Sequence, residues 1–177
     1  MARAANKRDW SGHFEWSQNV QKILTDTFKL PSFRALQVSD WAATISSPSG
    51  RELQGTFSPV LLLQSNNSKT DNAHLQREVI NSAMSGRDSL VLLPTGGGKS
   101  LVFQLPALAQ KGFALVVSPL IALMHDQVSQ LKLLGVRAEL LYSQSDKGHV
   151  KDVHDAMVAA ASGIKLLYVT PEVGEST

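Results

Sequence analysis

Residues 90–108 read LVLLPTGGGKSLVFQLPAL. Four apolar residues, Leu90 to Leu93, run into three adjacent glycines, then Lys99-Ser100, then a second apolar stretch. A strand that turns through glycines into a helix lets consecutive backbone N–H groups point at phosphate oxygens. The helix behind it aims the positive end of its dipole at the same place. The usual phosphate-loop pattern is Gly, four variable residues, then Gly-Lys-Ser/Thr. Gly98-Lys99-Ser100 fits its end, while Leu93 holds the position of the first glycine. Gly96, Gly97 and Gly98 keep the physics intact. Pro94 and Thr95 complete the candidate loop, Lys99 is expected on the β- and γ-phosphates of a nucleotide, and Ser100 is the expected ligand of Mg²⁺. A glycine turn that binds nothing is the competing reading, and Lys-Ser in register opposes it.

The pattern around the loop sets the fold class. Short apolar runs at 90–93, 113–117, 139–142 and 165–169 alternate with helical stretches at about 99–110, 120–134 and 147–161. Strands alternating with helices predict an α/β fold with a parallel sheet flanked by helices. Val79, Ile80 and Met84 suit a further helix closed by Gly86. Upstream, residues 10–37 are amphipathic at Val20, Ile23, Leu24, Phe28 and Leu30, with Pro31 as a stop and Ser32 as a cap for a second helix from Phe33. Between them, 38–76 is rich in Ser, Asn, Thr and Gly, has no sustained period, and reads as a low-order insert with a stray strand at 60–63. The expected organisation is an N-terminal arm at 1–37, the insert at 38–76, and an α/β domain at 77–177.

Composition bounds the rest. The chain has 177 residues, 43% apolar and 18% charged, which suits a folded core rather than wholesale disorder. A net charge of +2 does not by itself argue for nucleic acid, nor does it oppose a polyanionic partner. There is no cysteine, so disulfides, cysteine-ligated zinc and thiol catalysis are excluded. No apolar stretch reaches the roughly 20 residues that span a bilayer, and MARAANKRDW lacks the apolar core of a secretory signal. An intracellular protein with no membrane partner is expected. His125 is expected on a solvent-facing helix, and His149 and His154, five apart, fall on different sides of one. Trp10 and Trp16 are expected to pack an N-terminal arm, with base stacking as the alternative.

Beyond the loop, the sequence resembles the RecQ family of DNA helicases. PTGGGKSLVFQLPAL (94–108) is similar to that family's motif I, LVVSPLIALMHDQV (115–128) to motif Ia, LLYVTPE (166–172) to motif Ib, and FRALQ (33–37) to its adenine-recognition element. The resemblance covers residues 10–37 and 77–172 and implies a partial RecA-like domain. It implies that Gln37 pairs with adenine while Leu30 and Arg34 sandwich the ring, and that Ser118, Pro119 and Thr170 hold DNA phosphates without reading sequence. It implies ATP and Mg²⁺ as cofactors, DNA, single-stranded or at junctions, as partner, 3′-to-5′ unwinding, and a nuclear place in repair and recombination.

Hydrolysis in this family needs an acidic motif II, and no apolar strand after the loop ends in Asp-Glu. A partial motor that holds nucleotide without unwinding is therefore expected of the chain alone. Removing 38–76 joins FRALQ to REVINSAMSGRD as a continuous family-like segment. Codons for Val38 begin GT and one codon for Gln76 is CAG, so the insert reads as a retained intron, with a genuine loop as the alternative. Two further readings stay open: a non-enzymatic nucleotide-binding product, and a small phosphate-loop nucleotide kinase. The kinase is opposed by Arg137 standing alone among arginines at 99–177.

Overall fold

The computed structural model describes residues 10, 12–33, 61–64, 71–93, 97–159 and 163–175. They fall into two compact units, one comprising Met1–Gln18 and Pro31–Phe103, the other Asn19–Leu30 and Gln104–Thr177. In chain order the elements are α1 (Ser17–Asp26), β1 (Leu61–Gln64), α2 (Asp71–Met84), β2 (Ser89–Leu92), α3 (Leu101–Ala109), β3 (Ala114–Val117), α4 (Ile121–Leu133), β4 (Ala138–Leu141), α5 (Lys147–Val158) and β5 (Leu166–Val169). A 3₁₀ turn at Pro171–Glu175 follows.

In the second unit, β3, β5 and β4 form a parallel sheet in that order, with Ala114 and Ala138 both paired to Leu166. The central strand, Leu166–Val169, is buried at every residue. A continuous apolar run is what a strand covered on both faces requires. Leu167 and Val169 meet Leu141, Val153 and Ile164 in one cluster, with Ala156, Met157 and Val173 packed against it. Asp146 caps α5, its carboxylate accepting from the backbone N–H groups of Gly148 (2.8 Å) and His149 (3.2 Å). β3 lies at the sheet edge, and Leu115 (57% exposed) and Val117 (59%) stand out from it.

Tyr168 is buried on β5, its phenol oxygen accepting from Gln104 Nε2 on α3 at 3.2 Å. Burial pushes the phenol above its ordinary value of 10.0, and the Gln104 hydrogen bond offsets part of that rise. The folded chain therefore resists an ionisation that the unfolded chain accepts. This contribution is whole below about pH 10 and is lost as pH rises through the folded value. Stability measured by urea midpoint should fall on the alkaline side of about pH 10, and Tyr168→Phe should flatten that fall; an unchanged slope would contradict it.

The first unit carries β1 and β2, paired in parallel with Leu61 opposite Ser89 and Gln64 opposite Leu92. The Ser82 and Ser89 hydroxyls, 2.8 Å apart, tie α2 to β2. An aromatic clasp fastens the arm to α2. Trp10, Phe14 and Trp16 stack, with ring centroids 5.9 and 5.0 Å apart. Asn81 on α2 accepts from Trp16 Nε1 at 2.9 Å and donates to the Trp10 carbonyl at 2.8 Å. The Arg87 guanidinium lies 5.6 Å from the Trp10 ring centroid. Packing within the chain, not an open stacking platform, occupies these indoles.

Two expectations need adjustment. Among the described residues, the amphipathic stretch at 10–37 yields one helix, Ser17–Asp26, closed before Pro31. Lys29 takes a left-handed φ of 56° and donates from Nζ to the Asp26 carbonyl at 2.6 Å. Within the stretch read as a low-order insert, 61–64 is β1 and 71–76 belongs to α2. The apolar LLL finds its partner in Ser89–Leu92, a pairing that no local period encodes. β2 is thus paired along one edge, and Leu90 on it is 53% exposed. The expected second helix from Phe33 continues into residues outside the described ones.

Candidate nucleotide and strand sites

The candidate phosphate loop lies in the first unit, between β2 and α3. Pro94, Thr95 and Gly96 lie outside the described residues; Gly97, Gly98, Lys99 and Ser100 are within them. Gly98 has φ +73°, where a side chain is strained, and a Cβ built there would run into the Gln76 carboxamide. Only glycine satisfies both conditions. The Gly98 carbonyl accepts from Leu101 N at 3.0 Å and that of Ser100 from Phe103 N at 3.4 Å, which starts α3 directly behind the loop. Lys99 Nζ donates to the Leu93 carbonyl at 3.0 Å, so the ammonium is held at the mouth of the turn. Gln76 reaches from α2 to donate from Nε2 to the Gly97 carbonyl at 2.9 Å.

The chemistry of this donor set suits a polyanion. An ammonium and a helix start meet at a turn that excludes side-chain bulk, so anionic oxygens can approach the backbone closely. Among the described residues, no group of three or more His, Asp or Glu could hold a metal directly.

Candidate strand-contacting residues lie in the second unit, at one end of its sheet. Val117 pairs with Val169, so Ser118 and Thr170 follow at the same C-terminal edge. Ser118 N donates to the Val169 carbonyl at 3.0 Å. The Ser118 hydroxyl accepts from Leu120 N at 3.3 Å ahead of α4, and retains its own O–H for an outside acceptor. Pro119 beside it is exposed. Thr170 is only 3% exposed, and its buried hydroxyl has no hydrogen-bond partner. That hydroxyl, as it stands, is closed to a phosphate.

Of the residues expected at the base, Arg34 and Gln37 lie outside the described ones. Leu30 belongs to the second unit and donates from its N–H to the Leu24 carbonyl at 3.1 Å. Sequence reasoning passes over Gln76, because 38–76 reads as an insert. The available signal is that Leu75-Gln76 repeats Leu36-Gln37 directly before Arg77. His125 is on the solvent side, as expected. His125 is exposed with a ring edge on Tyr142, His149 Nε2 lies 3.2 Å from the Leu140 carbonyl, and His154 lies beside Asp155. No helix among the described residues is long and apolar enough to cross a membrane.

Comparison with known proteins matches residues 73–176 to the DEAD/DEAH box helicase family. The chain is 40% identical over 164 residues to the ATP-dependent DNA helicase Q1 of Rattus norvegicus, which covers 92% of this chain and 20% of that protein. It is 39% identical over 159 residues to the putative ATP-dependent DNA helicase Q1 of Caenorhabditis elegans, 90% of this chain and 19% of that one. Against the ATP-dependent DNA helicase RecQ of Haemophilus influenzae, identity is 47% over 97 residues, 55% of this chain and 15% of the relative. The chain thus spans about a fifth of the length of the first of these relatives.

Proposed function

The chain belongs to the DEAD/DEAH-box helicases, and within them to the RecQ family; from that premise we propose that residues 97–100 grip the phosphates of ATP. The observation that carries this reading is the turn itself. Gly98 is left-handed with no room for a side chain, Lys99 is held at the mouth, and α3 begins immediately behind. Pro94, Thr95 and Gly96 complete the loop. Lys99 supplies positive charge to the terminal phosphates, and Ser100 supplies the hydroxyl that holds Mg²⁺. When bound, the metal draws charge from the phosphate oxygens.

Ser118, Pro119 and Thr170 are proposed to position a DNA strand along the end of the β3–β5–β4 sheet. The Ser118 hydroxyl at that end of the sheet suits a phosphate contact that fixes register without reading bases. ATP-driven 3′-to-5′ unwinding, in the nucleus, is the proposed activity of the whole protein to which these sites contribute. The direct test is a titration of Mg·ATP into the purified chain, followed by ATPase measurement with and without single-stranded DNA. Saturable Mg·ATP binding, tighter than that of adenosine, is expected. Equal affinity for the two would remove the phosphates from the account.

A further inference from the structure

We infer that the open edge of β3 is a self-association surface. Two copies of this chain pair antiparallel along it, about a two-fold axis at Leu115, and join their three-stranded sheets into one.

Among the described residues, β3 is bonded to a neighbouring strand on one side only. Ala114 and Ser118 donate their N–H groups to the Lys165 and Val169 carbonyls, on the β5 side. Along a strand the N–H and C=O of one residue point the same way, and successive residues alternate. Phe113, Leu115 and Val117 therefore turn their backbone groups to the open edge. Their side chains share one face of the sheet, and all three are exposed. On that face Val153, Ala156 and Met157 of α5 pack with Leu141, Leu167 and Val169 of β4 and β5, and β3 is left out of the cluster. Proteins ordinarily blunt such an edge with charge. Here no charged residue occurs from Gly112 to Met124, and an exposed apolar row of this kind marks an interaction surface.

The alternation selects a second copy as the occupant. Edge-facing residues pair with edge-facing residues, each pair exchanging two main-chain hydrogen bonds. With the axis at Leu115, that residue opposes its own counterpart, and Phe113 opposes Val117 of the second copy. The same pair recurs on the other side of the axis. An aromatic side chain opposite a β-branched one is a favourable cross-strand pair, and both lie on the exposed face. Moving the axis toward either end of the strand brings Lys111 or Pro119 into the ladder in place of an apolar pair. Pro119 has no N–H to give, so the ladder stops at Val117. One patch that meets itself about a two-fold axis closes at two copies.

The test is sedimentation equilibrium of the 177-residue chain at rising concentration. A monomer of 19.2 kDa should give way to a species of twice that mass and none larger. Leu115→Lys sets two ammonium groups against each other at the axis, from a position that is exposed in the monomer. It should weaken the dimer by about tenfold or more and leave Tm unchanged. The chain has no cysteine, so introduced thiols report the register. With copper and dissolved oxygen as oxidant, Leu115→Cys should cross-link to itself, because a hydrogen-bonded pair stands about 5.5 Å apart at Cα. Phe113→Cys and Val117→Cys should each fail to cross-link alone, at about 13 Å between like residues, and should cross-link when mixed. If Leu115→Lys lowers Tm, the cross-linking pattern decides alone. A chain that stays monomeric, or one that grows past two copies without a plateau, would overturn the inference. So would a folded Leu115→Lys chain that dimerises as tightly as the parent, or Val117→Cys cross-linking alone as readily as Leu115→Cys.

Discussion

Gly98→Val should abolish tight nucleotide binding and destabilise the first unit by about 2–5 kcal/mol. Two costs combine. At φ +73° a branched side chain is forced into the left-handed region, which costs about 1–2 kcal/mol for an ordinary residue. The new Cβ also meets the Gln76 carboxamide, which cannot retreat freely because it is buried and bonded to Gly97. Displacing it leaves the Gly97 carbonyl unpaired, at about 1–3 kcal/mol. The check pairs a denaturant titration with Mg·ATP binding. A variant as stable and as competent as the parent would show that the turn is not built as described.

Asn81→Leu carries the second large effect. The side chain makes two hydrogen bonds to the arm across 65 and 71 residues of sequence. Leucine fills nearly the same volume and makes neither. The Trp10 carbonyl loses the Asn81 donor, at about 1–3 kcal/mol, and the partly buried Trp16 indole loses a bond worth about 0.5–1.5 kcal/mol. Trp10 and Trp16 should loosen together, since they share Phe14 as a stacking partner. A chain of this size then loses roughly 5–15 °C in Tm. Emission from the arm's tryptophans should shift red below that transition. An unchanged melting curve would mean the clasp contributes nothing.

The strands downstream of the loop were legible because each is a short apolar run between turn residues. LLYV at 166–169, apolar throughout, sits at the sheet centre, whereas ALVV at 114–117, equally apolar, lies at an edge with alternate residues exposed. Apolarity alone therefore locates a strand but not its place in the order. β1 was only half legible. LLL marks a strand, yet its partner Ser89–Leu92 is fixed by tertiary pairing rather than local pattern. The early end of α1 comes from a left-handed Lys29, a conformation that residue type does not announce. At the candidate site, Lys99 and Ser100 follow from spacing. Gln76 escapes because its neighbourhood is polar and aperiodic, and only the folded backbone brings α2 to the loop. The tryptophans are ambiguous in sequence for a plain reason: an indole that stacks on a base and one that stacks on Phe14 look the same.

The most direct measurement is the affinity for Mg·ATP of Lys99→Ala against the unaltered chain, by calorimetric titration at one salt concentration. Lys99 Nζ now bonds the Leu93 carbonyl, at the turn proposed to hold a triphosphate. A charged hydrogen bond contributes about 1.5–3 kcal/mol, so the substitution should weaken binding by roughly 10- to 150-fold. Adenosine affinity and the melting temperature should change little. Undiminished affinity for Mg·ATP would contradict the account, because the turn at 97–100 would then not be what holds the phosphates.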